Sequence, residues 1–373
     1  MQNKELKFRN GKFRIMQIAD TQESAEVAID TIRFISAALE REKPDLVIFT
    51  GDQIKGYSSS FQGKKGRENV RKVIKALVTP LEQKGIPFAM TFGNHDGDSA
   101  MTNSEQFEIY KESPMFVYSA PVNDDDKGTY YLTVTDDNGV AKRLIYLFDS
   151  HSKDPDGGYS AVQPYQIDWY RGIRDSYDPP LPSIAFQHIP APEYFEVIKQ
   201  VGRFSKGSVR AYGNHKNEWY VLDPDNCGQN DFMGETPAAP FKNTGEIDAF
   251  LEKKEMEGLF VGHDHNNSFV ADYKGIKLGY SQGCGFNVYG PGYNRGFRIL
   301  DLDENGGFES KTVTFSDIFD KNDVTNKGKF FIYSYAPTSV SQVLTAAKEI
   351  AIVALGAGAT ALVIKNLRKI KKK

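Results

Sequence analysis

Hydrophobic and polar positions along the first hundred residues follow the order expected for strands linked by helices. Continuous apolar and β-branched runs predict buried strands at residues 13–19, 46–50 and 88–92. Between them, apolar residues recur at helical spacing over residues 27–39 and 70–81, which predicts amphipathic helices. Because each helix joins two strands, we expect a parallel β-α-β-α-β unit with helices packed on its sheet.

The middle of the chain changes from parallel units to hairpins. Strands predicted at residues 130–135 and 143–148 flank an Asp-Asp-Asn-Gly turn, which is a strong hairpin signal. A predicted helix at residues 163–173 and a strand at 183–187 follow. The next segment, residues 202–243, is rich in Gly, Asn and Pro and weakly periodic, which is typical of a binding loop or lid.

The last third of the predicted domain returns to strands. A helix at residues 247–257 precedes a short apolar strand at 259–261. Further antiparallel strands are predicted at residues 269–273, 276–280, 297–302 and 310–315. The whole pattern predicts an α/β sandwich of two facing mixed β-sheets flanked by helices, with a site at the strand ends.

An uncharged apolar run, IAIVALGAGATALVI, occupies residues 350–364 and precedes the basic sequence KNLRKIKKK. It predicts a C-terminal hydrophobic helix and divides the chain into a domain at residues 1–335 and a tail at 336–373. The run is shorter than the roughly 20 residues that span a bilayer. We therefore favour a membrane anchor that enters one leaflet, with the basic end on anionic lipid. A spanning helix and a soluble helix packed on the domain stay open as alternatives.

Composition narrows the class of protein. The 373 residues carry a net charge of −3, which argues against nucleic-acid binding through a broad basic field. Two distant cysteines, Cys227 and Cys284, argue against a disulfide framework or a thiolate zinc site. The polar N-terminus has no apolar signal region, so we expect a cytoplasmic protein that contacts a membrane surface, if any, through its tail.

Five short polar blocks follow predicted strands. They are Asp20-Thr21-Gln22, Gly51-Asp52, Gly93-Asn94-His95-Asp96, His188 and Gly262-His263-Asp264-His265. Carboxylate, amide and imidazole ligands together suit Mn²⁺, Fe²⁺ or Zn²⁺. A carboxylate such as Asp52 has two oxygens and can bridge two ions. The blocks therefore predict a paired-metal site at the strand ends.

In this order the blocks resemble the DxH, GD, GNH(D/E), H and GHxH pattern of the calcineurin-like metallophosphoesterase superfamily. Residues 147–170, 185–194 and 292–303 resemble the branch related to purple acid phosphatases and the yeast Dcr2-type phosphatases. Lys55 stands where purple acid phosphatases have a tyrosine ligand, so a ferric-tyrosinate centre is not implied.

The resemblance implies two divalent metal ions, Mn, Fe or Zn, and a role for each block. The first ion is expected on Asp20, Asp52 and His265, with Gln22 in the position of a histidine ligand. The second is expected on Asp52, Asn94, His188 and His263. Because the amide oxygen of Gln22 is a weaker donor than imidazole, we expect looser binding of the first ion or a harder ion such as Mn²⁺ or Mg²⁺. A Gln22 without a ligand role stays open.

The catalytic residues implied by the resemblance are Asp52, His95 and Asp96. His95 is expected beside the substrate phosphate, as a general acid or as a cation that stabilises the transition state. Asp96 is expected to orient His95 and raise its pKa.

The implied function is metal-dependent hydrolysis of a phosphoester, with a monoester favoured and a hydroxide held between the metals as nucleophile. The expected substrate is a phosphorylated small molecule or a phosphoprotein, and nucleic acid is not expected. Two alternatives stay open: a metal-poor pseudoenzyme that binds a phosphorylated ligand or protein partner, and a phosphodiesterase or nuclease.

Residues outside the blocks give weaker signals. His215 lies in a second Gly-Asn-His sequence that no strand precedes, so we expect a loop residue there. His151 fits either a polar rim position or a substrate contact. Tyr212, Trp219 and Tyr220 fit either an aromatic wall over the site or side chains that hold their loop on the core.

Overall fold

The computed structural model describes residues 4–155, 157–337 and 342–348. Its β-strands are β1 (Leu6–Lys7), β2 (Lys12–Ile18), β3 (Leu46–Thr50), β4 (Phe88–Thr91), β5 (Tyr130–Thr135), β6 (Ala141–Leu147), β7 (Ser183–Phe186), β8 (Ile198–Val201), β9 (Val209–Arg210), β10 (Trp219–Leu222), β11 (Phe232–Met233), β12 (Met256–Val261), β13 (Asn267–Ser268), β14 (Val270–Tyr273), β15 (Ile276–Tyr280), β16 (Gly296–Asp303) and β17 (Phe308–Thr314). Within residues 4–337, its α-helices are α1 (Ile29–Glu42), α2 (Gly63–Lys84), α3 (Asn103–Tyr110), α4 (Pro164–Asp175), α5 (Glu246–Leu251), α6 (Phe315–Ile318) and α7 (Lys327–Tyr335).

The predicted apolar run at residues 350–364 lies outside the described residues, so the anchor stays a prediction. Within the described ranges, no helix combines the length and apolar character that a bilayer crossing requires. The predicted domain boundary at residue 335 also stays a prediction, although residues 342–348 are helical and contact the domain.

The predicted β-α-β-α-β unit is present in a five-stranded sheet of order β17-β16-β2-β3-β4. Strands β2, β3 and β4 run parallel, with α1 and α2 as the connections, because continuous apolar strands joined by amphipathic helices bury both faces of a sheet. Strands β16 and β17 extend the other side in antiparallel pairing.

A second mixed sheet has seven strands in the order β1-β5-β6-β7-β12-β15-β14. Its centre is parallel, from β6 through β7 and β12 to β15. The predicted hairpin of β5 and β6 lies on one side and the antiparallel strand β14 on the other. The carboxyl ends of the parallel strands therefore meet along one edge in each sheet.

Successive side chains of β6 point to opposite faces of its sheet and show how the two sheets share a core. Ile145 and Leu147 join the hydrophobic cluster that contains β2, β3, β4, α1 and α2 side chains. Leu144 and Tyr146 point the other way, into a cluster with residues of α4 and α5. Each fully buried side chain of this size contributes about 1.5–3 kcal/mol. The predicted sandwich of two mixed sheets with outer helices is confirmed.

Two predicted helix boundaries are wrong. Helix α2 begins at Gly63 rather than at residue 70, because its polar first turns are supported by partners such as Glu105, which pairs with Arg67 at 2.6 Å. Helix α5 ends at Leu251 rather than at residue 257. The chain then turns at Lys254, which has a positive φ of 62°, and β12 begins at Met256.

The segment predicted as a binding loop contains short elements. Strands β8, β10 and β9 form a small antiparallel sheet, and a 3₁₀ turn at Gly213–His215 joins β9 to β10. Strand β11 pairs with β13, beside the last metal-ligand block. We call residues 198–243 the lid.

Candidate metal centre

The carboxyl ends of β2, β3, β4, β7 and β12 bring the five sequence blocks together. The residues that follow these ends are Asp20, Gln22, Asp52, Asn94, His188, His263 and His265. Asp20, Asp52 and His265 are buried, and each offers one ligand atom within 4.8 Å of the others. This is the set expected around the first ion.

A second group forms around the same Asp52 carboxylate. His188 Nε2 lies 3.1 Å from Asn94 Oδ1 and 3.5 Å from Asp52 Oδ1. His263 Nδ1 lies 3.2 Å from His188 Nε2. The structure therefore places Asp52 between the two predicted ligand sets, which is the position that a bridging carboxylate needs.

The residues present fit a pair of divalent cations. Buried Asp20 Oδ1 accepts no hydrogen bond of good geometry among the described residues, although His265 Nε2 lies 3.3 Å from it. His188 Nε2 lies within 3.2 Å of both Asn94 Oδ1 and His263 Nδ1. A buried carboxylate oxygen without a donor costs free energy, and a cation would be held by this close set of carboxylate, amide and deprotonated imidazole atoms.

Backbone carbonyls fix two of the imidazole rings. His188 Nδ1 lies 2.9 Å from the carbonyl oxygen of Thr50, and His265 Nδ1 lies 2.8 Å from that of Tyr289. Because a carbonyl only accepts, Nδ1 carries the proton in each ring. Nε2 of each ring is then directed at the carboxylates, as in histidine metal ligands held by an outer hydrogen bond.

Electrostatics favour positive charge on His188 and His265, whereas burial, followed by the charge of His188, lowers the pKa of His263 well below its usual value. Burial acts to lower the pKa of His188, but Asp52 outweighs it and raises that pKa to about 10. Burial opposes the charge on His265 in the same way, and Asp20 raises its pKa. Burial would raise the pKa of Asp52, but His188 holds it below its usual value. A metal ion would displace these histidine protons, since ligand nitrogens must be deprotonated.

Several ligand residues have backbone conformations that side chains seldom adopt. Nine non-glycine residues in the described ranges have positive φ, and four of them are Asp20 (53°), Gln22 (32°), Asp52 (53°) and His263 (73°). Each such conformation costs on the order of 1–3 kcal/mol and persists only where its surroundings fix it. Such residues concentrate at functional sites.

Two glycines allow the second and third blocks to approach each other. Gly51 has a φ of 90°, and a Cβ atom there would lie 2.5 Å from Gly93 N and 2.7 Å from His188 Nδ1. A Cβ atom on Gly93 would lie 2.2 Å from Asp52 Oδ1. Only glycine fits at both positions without moving a ligand.

Asp96 joins the second and third blocks through backbone hydrogen bonds. Its Oδ2 accepts from the N–H groups of Asp52 and Gly93, both at 2.8 Å. Its Oδ1 accepts from the N–H groups of Gln53 and Ile54. The buried carboxylate therefore fixes the loop that carries Asp52.

The prediction that Asp96 orients His95 is wrong, because its carboxylate is used by these backbone donors. Asp98 takes that place, with Oδ2 2.8 Å from His95 Nδ1, because a 3₁₀ turn at Asp96–Asp98 brings it beside the ring. The backbone N–H of His95 donates to Asp52 Oδ1 at 2.9 Å. Tyr57 contacts the ring edge to face, with centroids 4.6 Å apart.

Gln22 lies inside the site. Its side chain is buried, with Nε2 2.5 Å from Asp52 Oδ2 and Oε1 3.5 Å from the hydroxyl of Tyr57. In this orientation the amide donates a hydrogen bond to the Asp52 carboxylate. Gln22 is therefore not a surface residue, and its ligand role stays a prediction.

A cavity of about 670 Å³ opens above the ligands. Its floor includes Asp52, His95, His263 and His265, and much of its wall comes from the lid. Aromatic side chains line it at Tyr57, Tyr159, Tyr212, Phe241 and Tyr289, and basic side chains at Arg210 and Lys216. The segment predicted as a binding loop therefore borders the site.

Besides Tyr57, sequence reasoning missed three side chains that contact histidines of the five blocks. These are Asp98, Tyr159, whose ring centroid lies 4.3 Å from that of His263, and Tyr289, which stacks on His265 at 4.1 Å. Asp98 lies three residues after His95, a spacing at which one helical turn brings two side chains together. The two tyrosines have no local sequence signal, because the fold brings them in from distant segments.

Of the other histidines and aromatics weighed from the sequence, one lines the cavity and the rest lie outside it. His151 pairs with Tyr165 at 3.2 Å, and His215 pairs with Glu218 at 2.6 Å. Tyr212 lines the cavity, whereas Trp219 and Tyr220 are buried in β10. The aromatic-wall interpretation therefore holds for Tyr212, and the core interpretation holds for the other two.

The sequence profile of calcineurin-like phosphoesterases matches residues 13–267. The chain belongs to this family. The chain is similar to "Probable inactive purple acid phosphatase 29" of Arabidopsis thaliana, with 25% identity over 346 residues that cover 82% of this chain and 80% of the relative. It is also similar to phosphatase DCR2 of Saccharomyces cerevisiae, with 27% identity over 290 residues that cover 69% of this chain and 45% of the yeast protein. The predicted resemblance to the purple acid phosphatase and Dcr2 branch is confirmed at this level.

Solved structures show the same fold. A dimetal phosphatase from Danio rerio superposes on this chain with a TM-score of 0.51 at 12% identity. The alignment covers 81% of this chain and 99% of the other. At this identity the likeness concerns the fold alone.

Proposed function

We propose that this phosphoesterase hydrolyses a phosphoester, with a monoester favoured, in a reaction that requires two divalent metal ions. The observation that carries the proposal is the convergence of two ligand sets on the buried Asp52 carboxylate. When bound, two such ions supply an activated water and neutralise charge on the phosphoryl oxygens.

Two ligand groups share Asp52. Asp20 and His265 belong to the first, and Gln22 lies beside it. Asn94, His188 and His263 belong to the second. The mixed oxygen and nitrogen donors suit Mn, Fe or Zn.

His95 is the residue we propose to assist the leaving oxygen. It lines the cavity, and Asp98 accepts from its Nδ1–H, which fixes the plane of the ring. Nε2 is the nitrogen left for the substrate. When the ring carries both protons, Nε2–H can donate to the leaving oxygen or stabilise charge on the phosphoryl group.

The cavity wall supports a monoester. Arg210 and Lys216 add positive charge near His95, and a phosphomonoester brings more negative charge than a diester. The aromatic side chains of Tyr159, Tyr212 and Phe241 offer apolar surface to the organic part of the substrate. A phosphorylated small molecule or the side chain of a phosphoprotein fits this description.

A metal-poor pseudoenzyme that binds a phosphorylated ligand is the second candidate. Gln22 in place of the expected histidine, already hydrogen-bonded to Asp52, favours it. The printed name of the similar Arabidopsis protein also contains the word "inactive".

Metal content and turnover of the purified protein separate the candidates. The protein would be supplied with Mn²⁺, Fe²⁺ or Zn²⁺ and assayed with p-nitrophenyl phosphate and bis(p-nitrophenyl) phosphate. We expect two ions per chain and faster turnover of the monoester. Faster turnover of the diester would indicate a phosphodiesterase. No retained metal and no turnover with any ion would contradict the enzyme and leave the pseudoenzyme.

A further inference from the structure

Residues 342–348 form a helical segment beyond the family match, and we call this segment the strap. Its last residue, Lys348, is only 3% exposed. Lys348 Nζ donates to the carbonyl oxygen of Ser208 at 2.7 Å and to its hydroxyl at 3.0 Å, and it lies 5.1 Å from the Trp219 ring. A buried ammonium is costly unless it is hydrogen-bonded, so this is a built contact with the lid.

The other end of the strap reaches the metal centre through one carboxylate. Gln342 Nε2 donates to Glu235 Oε1 at 2.8 Å. Glu235 Oε2 accepts from the N–H of Asn266 at 3.2 Å and from the hydroxyl of Tyr289 at 3.3 Å. Tyr289 in turn stacks on the proposed ligand His265 and accepts from its Nδ1. Glu235 and Tyr289 therefore link the strap to His265, through the hydroxyl of Tyr289 on one side and its backbone carbonyl and ring on the other.

The three contacts share one face of the strap. Between its ends, Thr345 Oγ1 accepts from the backbone N–H of Arg210 in β9 at 3.4 Å. Gln342, Thr345 and Lys348 are three residues apart, a spacing that places them on the same side of a helix. Val343 is 51% exposed, on the side away from the lid.

We propose that the strap is a positioning element of the substrate site. It holds the β8-β10-β9 sheet of the lid through Lys348 and Thr345, and it supports the wall beside His265 through Gln342 and Glu235. Any effect on turnover rests on the proposed function, whereas the effect on lid mobility does not.

Lys348→Met in the full chain tests the proposal, because it keeps the apolar stem and removes the ammonium. Backbone hydrogen exchange over residues 203–219 should become about tenfold faster, since the lid loses its buried hydrogen bonds. The matched control is Lys199→Met, which removes an exposed ammonium from β8 of the same lid and should leave exchange unchanged. Unchanged lid exchange in Lys348→Met would overturn the proposal.

Gln342→Glu is the second variant and keeps the proposal testable if Lys348→Met does not fold. It places a carboxylate against Glu235 and should raise the KM for p-nitrophenyl phosphate about fivefold with kcat unchanged. An unchanged KM in an active enzyme would refute the link to the site. If the wild-type protein shows no turnover, the proposed function fails, and the exchange measurement alone decides whether the strap holds the lid.

Discussion

The metal centre and the lid form one cavity but are held in different ways. The proposed ligands Asp20, Asp52 and His188 are buried at the ends of parallel strands that belong to sheets of five and seven strands. The lid is built from strands of two to four residues, and its cavity-lining Tyr212 is 50% exposed. A rigid sheet suits atoms that must keep fixed distances, whereas a separate lid can change its contacts without disturbing them. Substitutions in the metal centre and substitutions in the lid should therefore affect the activity in different ways.

Asp52→Asn should have the largest effect. Removing the charge of the shared carboxylate should lower kcat/KM for p-nitrophenyl phosphate by about 1,000-fold or more, because both ligand groups depend on it. Steady-state kinetics with metal analysis would measure this loss. Asp137→Asn, in an exposed hairpin turn, is the matched control and should keep full activity. An active Asp52→Asn protein would refute the bridging assignment.

Removal of the metal ions should lower the free energy of unfolding by about 3–4 kcal/mol, relative to protein in which the free metal concentration is 100 to 1,000 times the Kd. This decrease in the free energy of unfolding should be larger at pH 8 than at pH 6. In the metal-free protein, the raised pKa of His188, about 10, gives stability that is complete below its unfolded pKa and declines as pH rises toward 10. Thermal unfolding with and without chelator at both pH values checks this. Equal losses at both pH values would contradict it.

Asp96→Asn and Asp98→Asn should have different effects, because Asp96 holds the loops of the second and third blocks whereas Asp98 holds the ring of His95. Asp96 accepts four backbone hydrogen bonds, so its replacement should lower the free energy of unfolding by about 3 kcal/mol. Asp98 is exposed and contacts His95, so its replacement should lower kcat about tenfold and leave stability nearly unchanged. Urea unfolding and kinetics of both variants provide the measurement. Reversed effects would restore the sequence-based role of Asp96.

Gln22→His should bind the first metal about tenfold more tightly and retain activity, because imidazole is a stronger donor than an amide oxygen. Metal titration monitored by calorimetry measures the change. Gln83→His, exposed on α2, provides a control for a histidine that binds metal at the surface. Equal affinity in Gln22→His and the wild type would show that position 22 is not a ligand position.

Tyr212→Ala should have the smallest effect and act on the lid alone. Loss of this half-exposed aromatic ring from the cavity wall should raise the KM about threefold and leave kcat unchanged. Phe204→Ala, on the lid but outside the cavity lining, should change neither constant. A fall in kcat in Tyr212→Ala would show that the lid also positions the reacting groups, and the contrast between the two regions would no longer hold.

The positions of most long strands and the ligand blocks could be predicted because both depend on local patterns. The alternation along β6 and the apolar runs of β2 and β3 determine which faces are buried. Polar residues directly after parallel strands are brought to one edge by the sheet itself. That is why Asp52 and His188 could be placed together although they lie far apart in sequence.

The remaining contacts depend on where distant segments cross. Tyr289 and Glu235 reach His265 from separate loops, and Gln342 arrives from beyond the family match. Asp96 was given the wrong partner because sequence distance does not show which way a side chain turns inside a 3₁₀ turn. Helix ends such as Gly63 depended on ion pairs rather than on apolar spacing.

Lys348 also sets an order of events during protein synthesis. The ribosome adds residues from the N-terminus, so every proposed metal ligand and the whole lid are made before the strap. A nascent chain with Ser208 and Trp219 already outside the ribosome still lacks the ammonium that holds them. The contacts of Lys348 with Ser208 and Trp219 can therefore form only after the residues of both sheets and the lid have been synthesised.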